Sequence, residues 1–230
     1  MKRSSKIAHN WLIVEIHNNF FRTILPRLKG VVVDLGCGQM PYRQEVLAKG
    51  CQYVGIDWPN SIHGVKPDVV SDLNAGVDLP NEYADAVMSF SVMEHLHRPA
   101  TMLAESWRIL KPGAPLCIEV PFQWHVHEAP VDYYRYTRYG LERLLLDAGF
   151  EEIAVTPNGG FWSMWFLKFN YQSTRWMRGP KPLRMLTHLL LIPIWFMSQM
   201  MGRWLDRIDF NPGETPSYTT IARKPYTQSL

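Results

Sequence analysis

A chain of 230 residues, 47% apolar and 20% charged, can fill a full core and is not a disordered tail. Three cysteines, Cys37, Cys51 and Cys117, form no C-x-x-C pair; an odd count suits a reducing compartment and excludes a zinc ribbon and a small disulfide-stapled secreted module. The net charge of +3 hides a split, because the 53 residues from Ile153 to Leu205 hold no Asp or Glu, six basic residues and five of the nine tryptophans.

The chain opens on Trp11, Leu12, Glu15, Ile16, Phe20, Ile24 and Leu28, spaced as an amphipathic helix that stops near Pro26 to Gly30. His9, Asn10, Glu15 and His17 break the apolar run that a secretory signal would need, so a cytoplasmic location is expected. Val31 to Leu35 reads as a buried strand that feeds the tight loop Gly36-Cys37-Gly38. A helix over 42–49 closes at Gly50, and strands follow at 52–56, 68–71 and 86–90, the first two ending at Asp57 and Asp72. Pro99 to Leu110 forms a helix, Lys111 to Gly113 turns the chain, and 115–120 is a fifth strand. Thr137 caps a helix running to Ala148, Glu152 to Thr156 is a sixth strand and Tyr218 to Arg223 a seventh. Strands alternating with helices imply an α/β fold with a doubly wound, mostly parallel seven-stranded sheet and a ligand at the carboxyl ends of the strands. The organisation expected is a helix over 1–30, an α/β core over 31–157, a hydrophobic basic insertion over 158–216 and a final strand and tail over 217–230.

The first loop discriminates between cofactors. A dinucleotide fingerprint needs a third glycine where Pro41 stands, which argues against an NAD-dependent oxidoreductase. What stands here is an acid before two glycines, Asp34-Leu35-Gly36-Cys37-Gly38, and a second acid, Asp57, where a strand-end carboxylate can accept both hydroxyls of a ribose.

With the segments VVVDLGCGQMPYR, YVGID, DVVSDLN, LPNEYADAVMSFSVMEHLHRP, ESWRILKPGAPLCIEVPF and HEAPVDYYRYTRYGLERLLLDAGF in this order, the chain resembles the class I S-adenosylmethionine-dependent methyltransferases, in particular the type 11-like group. The resemblance covers about 31–155 and implies S-adenosyl-L-methionine as cofactor. It implies that Asp34 and the backbone of Gly36 and Gly38 hold the methionine part, that Asp57 binds the ribose with Trp58 beside the adenine, and that Asp72 and Leu73 meet the adenine amino edge. Ser89 and Phe90 would complete the pocket under the sulfonium. Met40 stands where the fuller pattern often has a glycine. Asp72 could equally serve an Asx turn.

The bases that a hydroxyl acceptor would require cluster after the fifth strand, in 122–134. His127 is the first candidate and His125 the second, since an unperturbed imidazole titrates near neutrality. The pair Glu94-His95 offers either a catalytic or an orienting group. A metal held by His125 and His127 with Glu128 or Asp132 is conceivable, but histidines in an aromatic loop more commonly make ordinary hydrogen bonds, and no metal is expected. Arg135 and Arg138 either hold an anionic acceptor or pair with Asp132 and Glu142.

Leu186 to Leu205 is long enough for a bilayer, but Pro193, Ser198, Gln199, Gly202 and Arg203 interrupt it, and a span would strand the seventh strand across the membrane from its sheet. A helical hairpin lying against an anionic membrane surface fits better, at the inner face of the cell membrane. A lid over the acceptor site or a homodimer contact are the alternatives. The function expected is methyl transfer to a small or lipid- or glycan-linked acceptor, against the rival of an idle scaffold docked at the membrane. No nucleic-acid partner is expected, since Ser89 to Val92 stands where nucleic-acid methylases have an Asn/Asp-Pro-Pro-aromatic motif.

Overall fold

The computed structural model of the chain describes residues 1, 4–59 and 64–226. Seven strands make one sheet: β1 (Val31–Leu35), β2 (Gln52–Asp57), β3 (Val69–Val70), β4 (Ala86–Phe90), β5 (Pro115–Pro121), β6 (Glu151–Pro157) and β7 (Ser217–Arg223), in the order β3-β2-β1-β4-β5-β7-β6. All neighbours are parallel except β7, which runs antiparallel between β5 and β6. The order reverses between β1 and β4, so the loops leaving those strands diverge and open a crevice at their carboxyl ends.

Helices α1 (Trp11–Ile24), α2 (Arg43–Ala48), α3 (Pro99–Ile109) and α4 (Arg138–Asp147) cover the sheet. The apolar runs of β1 and β5 are buried on both faces, as a parallel sheet between helix layers demands. One face packs Val33, Val87, Leu116 and Ile118 against Met102, Leu103, Leu141 and Leu145; the other packs Val32, Met88 and Cys117 against Phe20, Phe21 and Ile24 of α1. Thr137 caps α4, its hydroxyl accepting from the Gly140 N–H at 3.1 Å.

Between β6 and β7 stand α5 (Phe161–Ser173) and α6 (Lys181–Ile208), packed as a hairpin. Asp206 of α6 supplies the cap that α5 lacks locally, accepting from the N–H groups of Gly160, Trp162 and Ser163 at 2.9–3.2 Å. Gln199 reaches the other way, accepting from Leu12 N–H at 2.9 Å and donating to the Ala8 carbonyl at 3.0 Å. Trp195, almost fully buried, donates from Nε1 to Ser173 Oγ at 2.8 Å. Gln199, one of the residues that interrupts a membrane span in the sequence, ties α6 to the start of α1 in the fold, while Asp206 and Trp195 lay it along α5.

Candidate active site

The crevice widens into a cavity of about 960 Å³, at the upper end of the roughly 300–1,000 Å³ usual for ligand pockets. Its floor is the ends of β1, β2, β4 and β5, and α1 roofs it with Asn10, Ile13, Val14 and His17. The loop after β5 and Tyr171 of α5 form the far wall.

On the β1–β2 side the loop turns through Gly36 (φ +71°) and Gly38 (φ +51°). A Cβ on Gly36 would lie 2.3 Å from Val92 Cγ2, so this position needs glycine both for its φ and for its close approach. Met40 takes φ +50°, the left-handed conformation a glycine would otherwise supply. The Gly36 and Cys37 N–H groups donate back to the Ile56 carbonyl, and the Gly38 N–H donates to Asp57 Oδ2 at 3.1 Å. The other Asp57 oxygen accepts from the Trp58 N–H at 2.9 Å. Asp57 thus fixes the turn as well as facing the cavity. Asp34 is 3% exposed and accepts from the Tyr53 hydroxyl at 2.5 Å. Asp72 forms an Asx turn, accepting from the Asn74 N–H at 2.9 Å, and lines the cavity together with buried Leu73.

Asp34, Gly36, Gly38, Asp57, Trp58, Asp72, Leu73 and Phe90 all border this one cavity. Ser89 does not: its hydroxyl donates to the Leu35 carbonyl at 2.8 Å, tying β4 to β1. Ser91 lines the cavity instead, because the chain leaves the strand there at φ +53°.

The opposite side of the cavity carries His95 and His127, whose rings meet edge to face at 4.8 Å, and Glu94, which is fully buried. Burial pushes the Glu94 carboxyl well above its ordinary range. Burial, with His95 adding to it, lowers the His127 imidazole below its ordinary value. His125 lies outside the cavity lining, its ring packed against Trp124 and Tyr171. An extended stretch would have pointed both imidazoles to one face, but Arg135 draws in the carbonyls of Trp124 and His125 and bends the loop between them. Arg135 also grips Asp132 with contacts of 2.6 and 2.8 Å, which hold that carboxyl well below the carboxylate range against the opposing effect of burial. Arg138 sits 3.9 Å from Glu142. The two arginines pair with the acids beside them.

One pair escaped the sequence reading. Glu119, 1% exposed within β5, has Oε2 3.1 Å from His17 Nε2 and 2.9 Å from the Ser91 hydroxyl that donates to it. Burial raises its carboxyl, but His17 and the hydroxyls of Ser217 and Ser91 outweigh burial and hold it below the ordinary value. A charged residue inside the otherwise apolar run of β5 was the available signal; its partner comes from α1, 102 positions away, which no local spacing reveals.

An acid-glycine loop and a second strand-end acid at a topological switch point, in a cavity roofed by α1, fit the fold of the class I methyltransferases. Residues 33–118 match the family described as methyltransferase domain. Over this span of 86 of its 230 residues the chain is similar to the methyltransferase domain. A curated relative, the ubiquinone biosynthesis O-methyltransferase of Hahella chejuensis (strain KCTC 2396), is 27% identical over 138 residues, half of this chain and 58% of that protein, so the match spans less than two thirds of the relative. Among solved structures, an S-adenosylmethionine-dependent methyltransferase from Archaeoglobus fulgidus superposes with a TM-score of 0.58 at 17% identity, over 91% of this chain and 94% of that one. The Haemonchus contortus phosphoethanolamine N-methyltransferase 2 in complex with S-adenosyl-L-methionine gives 0.58 at 16% identity, over 96% of this chain and 56% of that one.

Proposed function

We propose that the chain transfers the methyl group of S-adenosylmethionine to a lipid-linked, glycan or other amphipathic acceptor at an anionic membrane surface. The observation that carries this reading is the two-sided cavity, with acids and glycines on one side, Glu94, His95 and His127 on the other, and room for two ligands. In this reading Asp34 and the Gly36 and Gly38 backbone hold the methionine part, Asp57 takes the ribose, Trp58, Asp72 and Leu73 take the adenine, and Phe90 lies under the sulfonium. The donor methyl is already activated, so the protein's contribution is to exclude water and align donor and acceptor in line. Glu94, His95 and His127 stand where a hydroxyl acceptor would be activated to lose its proton.

The hairpin supports the location. Only the inner face of α6 is buried, through Leu191, Trp195, Gln199 and Asp206; Leu186, Leu189, Leu190, Met197 and Trp204 lie open, each more than half exposed. Lys181, Arg184, Arg175 and Arg178 stand around the start of the same helix. Arg203 is spent on the face of Trp11, 5.5 Å away. α6 is long and apolar enough to cross a bilayer, yet β7 follows it and pairs with both β5 and β6, which precede it, so a helix lying on the membrane keeps the sheet whole. Apolar side chains ringed by cations, each worth about 1 kcal/mol near anionic lipid, match a lipid surface better than a second copy of an equally basic patch.

Vesicle flotation tests this. The full chain is expected to float with phosphatidylglycerol-containing vesicles at low salt and to be released at roughly 1 M salt, where screening is within about 3 Å. The triple variant Leu186→Gln, Leu189→Gln, Leu190→Gln should stay in the soluble fraction with its cofactor affinity intact. A wild-type chain that does not float at low salt assigns the hairpin to a lid or a dimer contact.

A further inference from the structure

On the acceptor side of the cavity, one carboxyl group and two imidazole nitrogens face one another at 3.8–3.9 Å, and among the described residues no hydrogen bond joins them. His95 Nδ1 lies 2.7 Å from the Val131 carbonyl, which places the ring hydrogen there and leaves the Nε2 lone pair pointing 3.8 Å from Glu94 Oε1. His127 Nδ1 lies 3.4 Å from Asp132 Oδ2 and 3.3 Å from the His125 carbonyl, both acceptors; Arg135 Nη2, also 3.4 Å from this nitrogen, is committed to Asp132 at 2.8 Å. The His127 hydrogen therefore sits on Nδ1, and its Nε2 lone pair points 3.9 Å from the same Glu94 oxygen. Glu94 is completely buried, and among the described residues no donor apart from its own N–H reaches either carboxyl oxygen. One ligand atom from each of the three residues lies within 4.8 Å of the others.

We propose that Glu94, His95 and His127 bind a divalent first-row metal ion. Two imidazoles and a carboxylate are the donor set of zinc, iron(II) and related ions, and three protein ligands leave coordination positions open to the cavity. At metal–ligand distances of about 2.0–2.1 Å, tetrahedral ligand atoms stand about 3.3–3.4 Å apart, so small side-chain rotations close the shell. Glu128 Oε2, 3.8 Å from His95 Nε2, is within reach as a fourth ligand. The supports are those of a metal site: each imidazole donates its second N–H to a carbonyl or carboxylate, and Arg135 fixes the carboxylate behind His127.

Only the use of the ion, not its binding, rests on the methyl-transfer reading. An open coordination position would take an acceptor hydroxyl and lower its pKa, so that its proton leaves to water. The bound oxygen would then form the C–O bond as the methyl–sulfur bond breaks and its electron pair stays on sulfur. This makes the acceptor a hydroxyl compound, not an amine.

The test is calorimetric titration of the chelator-treated full chain with zinc chloride and, separately, manganese chloride, checked by elemental analysis. One ion per chain is expected for at least one metal, with affinity lowered a hundredfold or more in Glu94→Gln and in His127→Gln. Asp132→Asn, behind the ligands, should lose about ten- to a hundredfold. His127 lies on a loop, so His127→Gln keeps the fold even where Glu94→Gln does not. A wild-type chain that takes up no stoichiometric ion, or binds it as tightly as the His127 variant does, overturns the proposal. Methyl transfer that persists in chelator without bound ion overturns the ion's part in the reaction and leaves the methyltransferase reading standing; a stoichiometric ion with no methyl transfer upholds the metal site and overturns that reading.

Discussion

His127→Asn is expected to lower methyl-transfer turnover about a hundredfold or more while leaving S-adenosylmethionine affinity unchanged. The substitution keeps a polar side chain of similar reach to Nδ1, so the contact with Asp132 and the course of the loop are retained, but it removes Nε2, the atom that faces Glu94 on the acceptor side. Across the cavity, Asp34 accepts from Tyr53 and Asp57 from Gly38 and Trp58, and the substitution leaves these bonds in place. Single-turnover kinetics with saturating cofactor separate the two effects. Normal turnover in the variant would move acceptor activation to the other acid–imidazole pair on the cavity wall, His17 and Glu119, 3.1 Å apart.

For Asp57→Ala the expected result is the complement, a loss of cofactor affinity of about 3 kcal/mol or more, over a hundredfold. Two effects add. Each hydrogen bond from a ribose hydroxyl to a buried carboxylate is worth about 1.5–3 kcal/mol. The same carboxylate also holds the Gly38 and Trp58 N–H groups, so alanine leaves the glycine turn without its tether. Calorimetry measures the affinity, and a thermal melt of the unliganded variant separates loosening of the loop from loss of the ribose contact. Equal affinities would remove Asp57 from the ribose.

The sheet was legible because its strands are short runs rich in β-branched and apolar residues, the first two ending at Gly36 and Asp57, and the expected strands from Val31–Leu35 to the seventh lie within a residue or two of their observed ends. The placement of the two strand-end acids at the cavity was equally legible. Asp34 and Asp57 sit at strand ends, where direction along the sheet alone puts them at the crevice. Ser89 and Ser91 show the limit of that logic: alternation cannot say where a strand stops, and the turn at Ser91 sends the second serine, not the first, into the cavity. The acceptor side depends on contacts between distant segments. Glu94 becomes the buried centre of a cluster only because the loop after β5 folds back over it, with the N–H groups of Tyr133 and Tyr134 donating to the Glu94 carbonyl. His125 and His127 part company because Arg135, eight or more positions on, gathers the backbone between them. The polar residues of α6 were visible as interruptions of an apolar helix; that Gln199 and Asp206 tie it to α1 and α5 required the fold.

The central claim is transfer of a methyl group, and label transfer tests it most directly. Purified chain is incubated with methyl-labelled S-adenosylmethionine and extract from cells that lack it, and the products are separated into lipid, glycan, small-molecule, protein and nucleic-acid fractions. The account predicts label in the lipid or glycan fraction with the wild-type chain and none above background with Asp57→Ala. A chain that binds S-adenosylmethionine tightly yet labels no fraction would contradict it and would make this cavity the pocket of an idle scaffold.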